Sequence, residues 1–195
     1  MHMHMCSGEY CVESERGYCC EWQGIECGNH THVIKLDFHA AHYPNGTFAW
    51  LGGHIDPTLV ELIHLSFLNL SYNNFSFTPI PEFLGSLTEL KTLDLSHAGF
   101  EGKIPPQLGN LTELQHLDLS EDYGDLTAYN LDISSLQLLK LNYLNLSMVR
   151  PDFPRLILGL PLLTEVEAQY CKLLRLPPNV SFTKLYFTSC TYPSG

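Results

Sequence analysis

The chain has 195 residues, of which 45% are apolar, and its 21 Asp and Glu outnumber its 10 Lys and Arg to give a net charge of −11. This composition indicates a folded chain rather than a disordered one. The longest apolar run, residues 156–163, is interrupted by Gly159 and Pro161 and is too short to span a bilayer. The acidity disfavours nucleic acid, anionic membrane surfaces and bare pectin, and favours basic proteins or peptides as partners.

The amino-terminal residues lack the long apolar core of a secretory signal, so they indicate a mature piece, a fragment or a truncated product, and the sequence leaves these open. Cysteines follow at once. Five of the seven fall in the first 27 residues, at Cys6, Cys11, Cys19, Cys20 and Cys27. Such clustering predicts a disulfide-stapled cap formed in an oxidising compartment. Without a paired Cys-x-x-Cys spacing, the cluster does not favour zinc.

An internal repeat dominates the rest of the chain. Residues 85–96 and 109–120 lie 24 residues apart and agree at nine of twelve positions, which predicts a solenoid. The Leu-x-Leu alternation predicts a short strand in each unit, with leucines facing the core. An Ile-Pro-x-x-Leu-Gly segment follows at residues 80–85 and 104–109, where proline turns the chain. The predicted core column consists of Leu36, Leu68, Leu93, Leu117, Leu144, Val166 and Leu185.

Two segments carry a resemblance to a known family. Residues 87–109 fit the pattern Leu-x-x-Leu-x-Leu-Ser followed by Gly-x-Ile-Pro, and residues 19–27 read Cys-Cys-Glu-Trp-Gln-Gly-Ile-Glu-Cys. Together they resemble the leucine-rich repeat ectodomains of plant receptor-like proteins and receptor-like kinases. The resemblance implies an α/β solenoid, a right-handed superhelix with short parallel strands on its concave face and an amino-terminal disulfide cap.

The same resemblance sets the expected organisation. It implies a cap over residues 1–31, about seven repeats over residues 32–190 and a tail over residues 191–195. It also implies a disulfide between Cys20 and Cys27, while Cys19 pairs with Cys11 or Cys6. Only seven residues separate Cys11 from Cys19, where the family has a pair of short helices, so the cap is abridged.

A polar column is expected five residues after each core position. In the family it is an asparagine ladder, whose side chains satisfy backbone groups where the chain leaves the strand. Ala98 and Val149 depart from it, which predicts turns without a polar partner. Cys171 and Cys190 are interpreted as buried structural thiols. The column reads Asn73, Ala98, Asp122, Val149, Cys171 and Cys190.

Seven Asn-x-Ser/Thr sequons exceed the number that chance would give and support export of the chain. Asn69 and Asn145 fall on predicted strands and are the poorest candidates for a glycan. Glycosylation is expected at Asn29, Asn45, Asn74, Asn110 and Asn179.

The exposed strand positions combine aromatic and acidic residues, as protein-recognition surfaces do. An alternative is that Asp94, Asp118 and the serines beside them are repeat residues that keep the face soluble. The predicted ligand-binding residues are Lys35, Asp37, Phe67, Asn69, Tyr72, Asp94, His97, His116, Asp118, Glu121, Tyr143, Glu165, Glu167 and Tyr170.

The sequence contains no catalytic motif, and its close histidine pairs, such as His30 with His32, lack a third metal ligand. We expect neither enzyme activity nor a cofactor. The resemblance implies a monomeric, extracellular recognition module of a cell-surface receptor-like protein, which binds a protein or peptide ligand and a co-receptor in signalling or defence. The alternatives are a soluble inhibitor of a pathogen wall-degrading enzyme, similar to polygalacturonase-inhibiting proteins, and a truncated fragment without independent function.

Overall fold

The computed structural model describes residues 19–29, 32–42, 48–121, 126–127, 135–144, 160–170 and 184–186. Predictions for Cys6, Cys11, Asn45, Asp122, Asn145, Val149, Cys171, Asn179 and Cys190 lie outside these residues. The strands are β1 (Ile25–Gly28), β2 (His32–Asp37), β3 (Ala41–His42), β4 (Phe48–Ala49), β5 (Phe67–Asn69), β6 (Thr92–Asp94), β7 (Gly102–Lys103), β8 (His116–Asp118), β9 (Leu126–Thr127), β10 (Leu138–Lys140), β11 (Glu165–Glu167) and β12 (Lys184–Tyr186).

Eight strands form one sheet in the order β1-β2-β5-β6-β8-β10-β11-β12. β1 pairs antiparallel with β2, and every later pair in this sheet is parallel and in register. Short 3₁₀ helices at Pro57–Glu61, Glu82–Ser86 and Pro106–Asn110 return the chain between strands. The predicted solenoid fold, with one strand in each repeat, is confirmed.

The core is built from three leucine-rich columns. In β5, β6, β8, β10 and β11 the central residue is buried, and so are the residues three before it and two after it, because a strand followed by a turn directs these positions to the same side. In the repeat of β6 they are Leu90, Leu93 and Leu95, all at most 1% exposed. The central residues that pair across the sheet are Leu36, Leu68, Leu93, Leu117, Leu139, Val166 and Leu185.

One member of the predicted core column is wrong. Leu139, and not Leu144, pairs with Leu117 on one side and Val166 on the other. Leu144 is buried all the same, five residues after Leu139, in the column of Asn73 and Ala98. The error moves Tyr143 from a position beside the central residue to the position four residues after it.

Asn73 has the role predicted for the polar column. Its Nδ2 donates to the carbonyls of Phe38 (2.7 Å) and Leu70 (2.8 Å), and its Oδ1 accepts from the backbone N–H of Leu51 (2.6 Å). At the next repeat Ala98 cannot do this. There the backbone N–H of Gly99 donates to the Glu121 carboxylate (2.9 Å), so this turn has a polar partner, contrary to the prediction.

Beyond the polar column the chain forms a second set of contacts. Phe75 and Phe100 are buried and stack with ring centroids 4.8 Å apart. β7 pairs with β9, and single bridges join Gly52 to Asn74 and Thr78 to Phe100. These contacts link neighbouring repeats outside the main sheet.

The amino-terminal cap closes the first end of the sheet. A disulfide joins Cys20 to Cys27, as predicted from the resemblance. Cys19 is also disulfide-bonded. The three Sγ atoms lie within 4.8 Å of one another, but a sulfur in a disulfide is not a thiolate and cannot serve as a metal ligand. Trp22 packs against the core.

Among the described residues, no helix combines the length and the apolarity that crossing a bilayer requires.

Candidate ligand-binding face

Side chains on either side of the central strand residues point away from the core and form what we call the strand face. Parallel, in-register pairing places them in two rows. The row before the central residues runs Lys35, Phe67, Thr92, His116, Leu138 and Glu165, and the row after them runs Asp37, Asn69, Asp94, Asp118, Lys140 and Glu167. Leu138 and Lys140 occupy the positions that the sequence prediction gave to Tyr143 and Asn145. A buried leucine lies three positions before Leu139 and another three positions before Leu144, so the leucine pattern alone admits both frames.

At the cap end of the strand face, Lys35 is the centre of a small network. Its Nζ lies 3.9 Å from Glu26 Oε2 and 4.0 Å from Asp37 Oδ2, and 5.0 Å from the centroid of the Phe67 ring. The Nδ1 atom of His39 is 2.7 Å from Asp37 Oδ1. A cation over an aromatic face holds the ring in place. This end of the face therefore has its charges paired.

In the middle of the face, the row after the central residues accepts hydrogen bonds from the backbone. Asn69, Asp94 and Asp118 each accept a hydrogen bond through Oδ1 from the backbone N–H two residues later, at 2.9, 3.0 and 3.0 Å. This is the turn-forming bond that Asx side chains make. These hydrogen bonds support the alternative that Asp94 and Asp118 are structural residues of the repeat. All three side chains nevertheless remain partly exposed on the face.

Asp118 is the residue of this row with a clear electrostatic perturbation. Burial raises the pKa of its carboxyl above the ordinary value of 3.8, and the nearby charge of Asp94 adds to the rise. Hydrogen bonds from Ser120 and the charge of Lys140 act in the opposite direction. The cost of desolvating the carboxylate exceeds what these partners return.

On β11, Glu167 is the acceptor shared by two side chains of the preceding repeat. Lys140 Nζ lies 3.5 Å from its Oε2, and the Nδ2 of Asn142 donates to the same atom at 3.4 Å. The sequence prediction included Glu167 but missed both partners, because it assigned their repeat to the wrong frame.

A column of larger side chains borders the strand face, four residues after each central residue. We call Tyr72, His97, Tyr143 and Tyr170 the aromatic column. Tyr72 stacks on His97 (centroids 4.8 Å apart) and Tyr143 on Tyr170 (5.1 Å). All four have positive φ, between 51° and 62°, which turns each side chain outward as the chain leaves its strand.

The three tyrosines of the aromatic column are well exposed, at 60% for Tyr72, 46% for Tyr143 and 55% for Tyr170. Stacking leaves the ring edges and hydroxyls toward solvent. A row of exposed aromatic rings is typical of a contact surface.

Glu121 occupies the same column between His97 and Tyr143, since its backbone N–H donates to Asn142 and that of His97 to Ser120. It was predicted to contact a ligand. That prediction is wrong, because Glu121 is only 2% exposed and its carboxylate accepts the N–H of Gly99. The missing polar side chain at Ala98 explains why this glutamate turns inward.

Of the five asparagines expected to carry glycans, Asn29, Asn74 and Asn110 lie in the described residues and are exposed. Asn69, on the strand face, is partly exposed and holds the N–H of Ser71. Glycosylation at these positions stays a prediction.

Comparisons with known proteins agree with this fold. A family model described as Leucine Rich Repeat matches residues 64–87 and 89–111. Receptor-like protein EIX1 of Solanum lycopersicum is 37% identical over 177 residues, which cover 86% of this chain and 17% of that protein. The chain is a leucine-rich repeat protein related to the plant receptor-like proteins. Receptor-like protein EIX2 of the same species is 46% identical over 90 residues, or 44% of this chain and 9% of the relative.

Solved structures place the leucine-rich repeat chain among plant ectodomains. The structure of PEPR1-AtPEP1 aligns with a TM-score of 0.63 and 34% identity, covering 79% of this chain and 20% of that one. The ectodomain of the receptor kinase SOBIR1 from Arabidopsis thaliana aligns with a TM-score of 0.56 and 20% identity over 87% of both chains, which supports the fold alone. This leucine-rich repeat chain spans less than a fifth of the two receptor-like relatives.

Proposed function

We propose that this chain is a non-catalytic recognition module of a cell-surface receptor-like protein, and that it binds a protein or peptide through the strand face and the aromatic column. The observation that carries the proposal is the exposed, stacked aromatic column beside a partly acidic face. Stacked rings lose little conformational entropy on binding, because they are already ordered. Relatedness to receptor-like proteins supports the signalling or defence role.

The charges of the module favour a basic partner. The chain carries a net charge of −11, and Lys35 and Lys140 on the strand face are already close to carboxylates of Glu26, Asp37 and Glu167. An acidic surface attracts positively charged partners and raises the rate of encounter with them. A basic peptide bound along the strands would contact Asp94 and His116 on the strand face as well as the tyrosines of the aromatic column.

A peptide-display experiment tests the proposal. The chain, secreted from plant cells, is used to select binders from a phage-displayed library of random peptides, and selected peptides are then measured against variants. Tyr143→Asn and Tyr170→Asn remove the rings, while asparagine tolerates the positive φ at these positions. We expect a net positive charge among the selected peptides and about tenfold weaker binding by either variant.

Phe77→Asn is the matched control, because Phe77 is also an exposed aromatic residue with positive φ but lies outside the strand face and the aromatic column. It should leave peptide binding unchanged. Equal losses in the control and the tyrosine variants would contradict the proposed face. Stoichiometric inhibition of a fungal polygalacturonase by the chain would favour the soluble-inhibitor alternative instead.

A further inference from the structure

The turn after β5 holds a phenylalanine in an unusual backbone conformation. Ser76 and Phe77 both have left-handed φ angles, 57° and 58°. The N–H of Thr78 donates to the Phe75 carbonyl (3.2 Å), and the N–H of Phe77 donates to the Gly99 carbonyl (2.7 Å) of the next repeat. These two bonds fix the conformation of the turn, which is strained for a residue with a side chain.

The next repeat shows what this position requires. Gly102 stands where Phe77 stands, because both lie nine residues after the central leucine of their repeats, and its φ is 84°. Glycine adopts that conformation without strain. The repeat of β5 therefore has a bulky aromatic residue where its neighbour has the residue that fits the backbone best.

The Phe77 side chain is not used in the core. It is 51% exposed, whereas Phe75, two residues earlier, is 3% exposed and stacks on Phe100. A strained backbone that displays an apolar ring to solvent is typical of a surface that another group covers.

An asparagine just before this turn could carry a group that covers the Phe77 ring. Asn74 is exposed, begins the sequon Asn74-Phe75-Ser76, and accepts the N–H of Ser76 through its Oδ1 at 2.9 Å. Its backbone N–H donates to the Leu51 carbonyl (2.9 Å), which ties the asparagine to the preceding repeat. We propose that Asn74 carries an N-linked glycan whose first sugar packs against the exposed ring of Phe77.

The attachment reaction determines when the glycan is added. A bond forms between Asn74 Nδ2 and C1 of the sugar, the C1–O bond to the pyrophosphate of a lipid-linked oligosaccharide breaks, and the amide proton leaves with the pyrophosphate. Because Phe75, in the middle of the sequon, is buried in the folded chain, the acceptor must react before this repeat folds. Export to a glycosylating compartment is part of the proposed function, and the inference rests on it to that extent.

Packing of the sugar on Phe77 has a physical basis. One face of a pyranose ring carries C–H groups, so contact with an aromatic ring removes apolar surface of both from water. Asn74 directly precedes the Phe75–Thr78 turn that holds Phe77, and its side chain is tied to that turn through the N–H of Ser76, so little additional ordering is needed. The glycan would cover the turn and leave the strand face open, unlike a glycan on Asn69, which lies within that face.

A double-mutant cycle tests this packing. The chain is secreted from cells that make only high-mannose glycans and is trimmed with an endoglycosidase, which leaves one sugar on each occupied asparagine. Peptide mapping measures occupancy at Asn74. Thermal unfolding is then compared with Asn74→Asp, which keeps the oxygen that accepts from Ser76 but removes the acceptor nitrogen, each with and without Phe77→Gly.

With the sugar present, we expect Phe77→Gly to lower the unfolding temperature by about 2–4 °C. In the Asn74→Asp background we expect Phe77→Gly to raise it, because glycine relieves the left-handed strain and no sugar contact is lost. The opposite signs are the signature of the contact. Asn110→Asp serves as the control, since Asn110 is an exposed sequon with Glu113 rather than an aromatic residue three positions later. The shift that Asn110→Asp causes should be the same with and without the Phe77→Gly substitution.

An unoccupied Asn74 in the secreted chain, or an equal shift from Phe77→Gly in both backgrounds, would overturn the inference. Neither result depends on peptide selection. Failure of the strand face to select peptides, with the cycle intact, would instead count against the proposed function alone.

Discussion

At the scale of single residues, the polar side chains of the strand face have a structural role, because they stabilise the turns. Their exposed parts remain available to a partner. Asn69, Asp94 and Asp118 each hold a backbone N–H, and Glu121 does so from inside the molecule. The sequence could predict that these residues are polar and regularly spaced. It could not predict that Glu121 turns inward, because its hydrogen bond with Gly99 joins two repeats and is not contained in the local pattern of either one.

Asp118→Asn should stabilise the chain at neutral pH. Burial raises the pKa of the carboxyl above 3.8, so the folded chain holds this proton more tightly than the unfolded chain. Its contribution to stability is therefore greatest below pH 3.8 and is lost as the pH rises through the raised pKa. Asparagine keeps the oxygen that accepts from Ser120, as Asn69 does for Ser71.

The free energy of unfolding in urea, measured at pH 7 and at a pH below 3.8, checks this prediction. The variant creates an Asn-Leu-Ser sequon, so both proteins should come from a bacterial periplasm, where no glycan is added. The gain at pH 7 should shrink toward zero at the acidic pH. A destabilised variant at pH 7, or a difference independent of pH, would contradict it.

At the scale of one element, the sequence predicts the strands of β5, β6 and β8 but misplaces β10. Around β10, Leu136, Leu139 and Leu141 have the same spacing as Leu141, Leu144 and Leu146, so both frames satisfy the repeat pattern. The second frame also continues into Ser147, as the family pattern does. Pairing with Leu117 and Val166 decides for the first frame, and that is a tertiary contact which a local pattern does not contain.

Gly85→Ala should destabilise the chain by about 1–3 kcal/mol. Gly85 lies in the 3₁₀ helix Glu82–Ser86, and a Cβ there would overlap the backbone carbonyl of Gln107 in the next repeat. Because both groups belong to packed backbone, neither can move without separating the two helices. Urea unfolding measures the change. Ser86→Ala, on an exposed residue of the same helix, should change stability by less than about 0.5 kcal/mol, and an equally small effect of Gly85→Ala would contradict this close approach.

At the scale of the whole molecule, the period of the sequence is sufficient to predict a stack of repeats, since each unit exposes an apolar side that only a neighbour can bury. The spacing between repeats is harder to predict. Leu117 and Leu139 are separated by 22 residues, and Leu139 and Val166 by 27, because the connecting segments differ in length while the strands remain in register. A solenoid tolerates such insertions outside its strands.

In such a stack each repeat contacts only its neighbours, so the cap should stabilise the repeats unequally. Replacing Cys20 and Cys27 by serine opens a disulfide that joins residues seven apart, for which the loss of chain entropy predicts about 2–3 kcal/mol. We expect hydrogen exchange to accelerate most in β1 and β2, less in β5 and least in β8. Equal acceleration in every strand would mean that the described repeats unfold as one cooperative unit. No acceleration in β2 would mean that the pairing of β1 with β2, which joins Ile25 to Leu36, holds the end of the sheet without the disulfide.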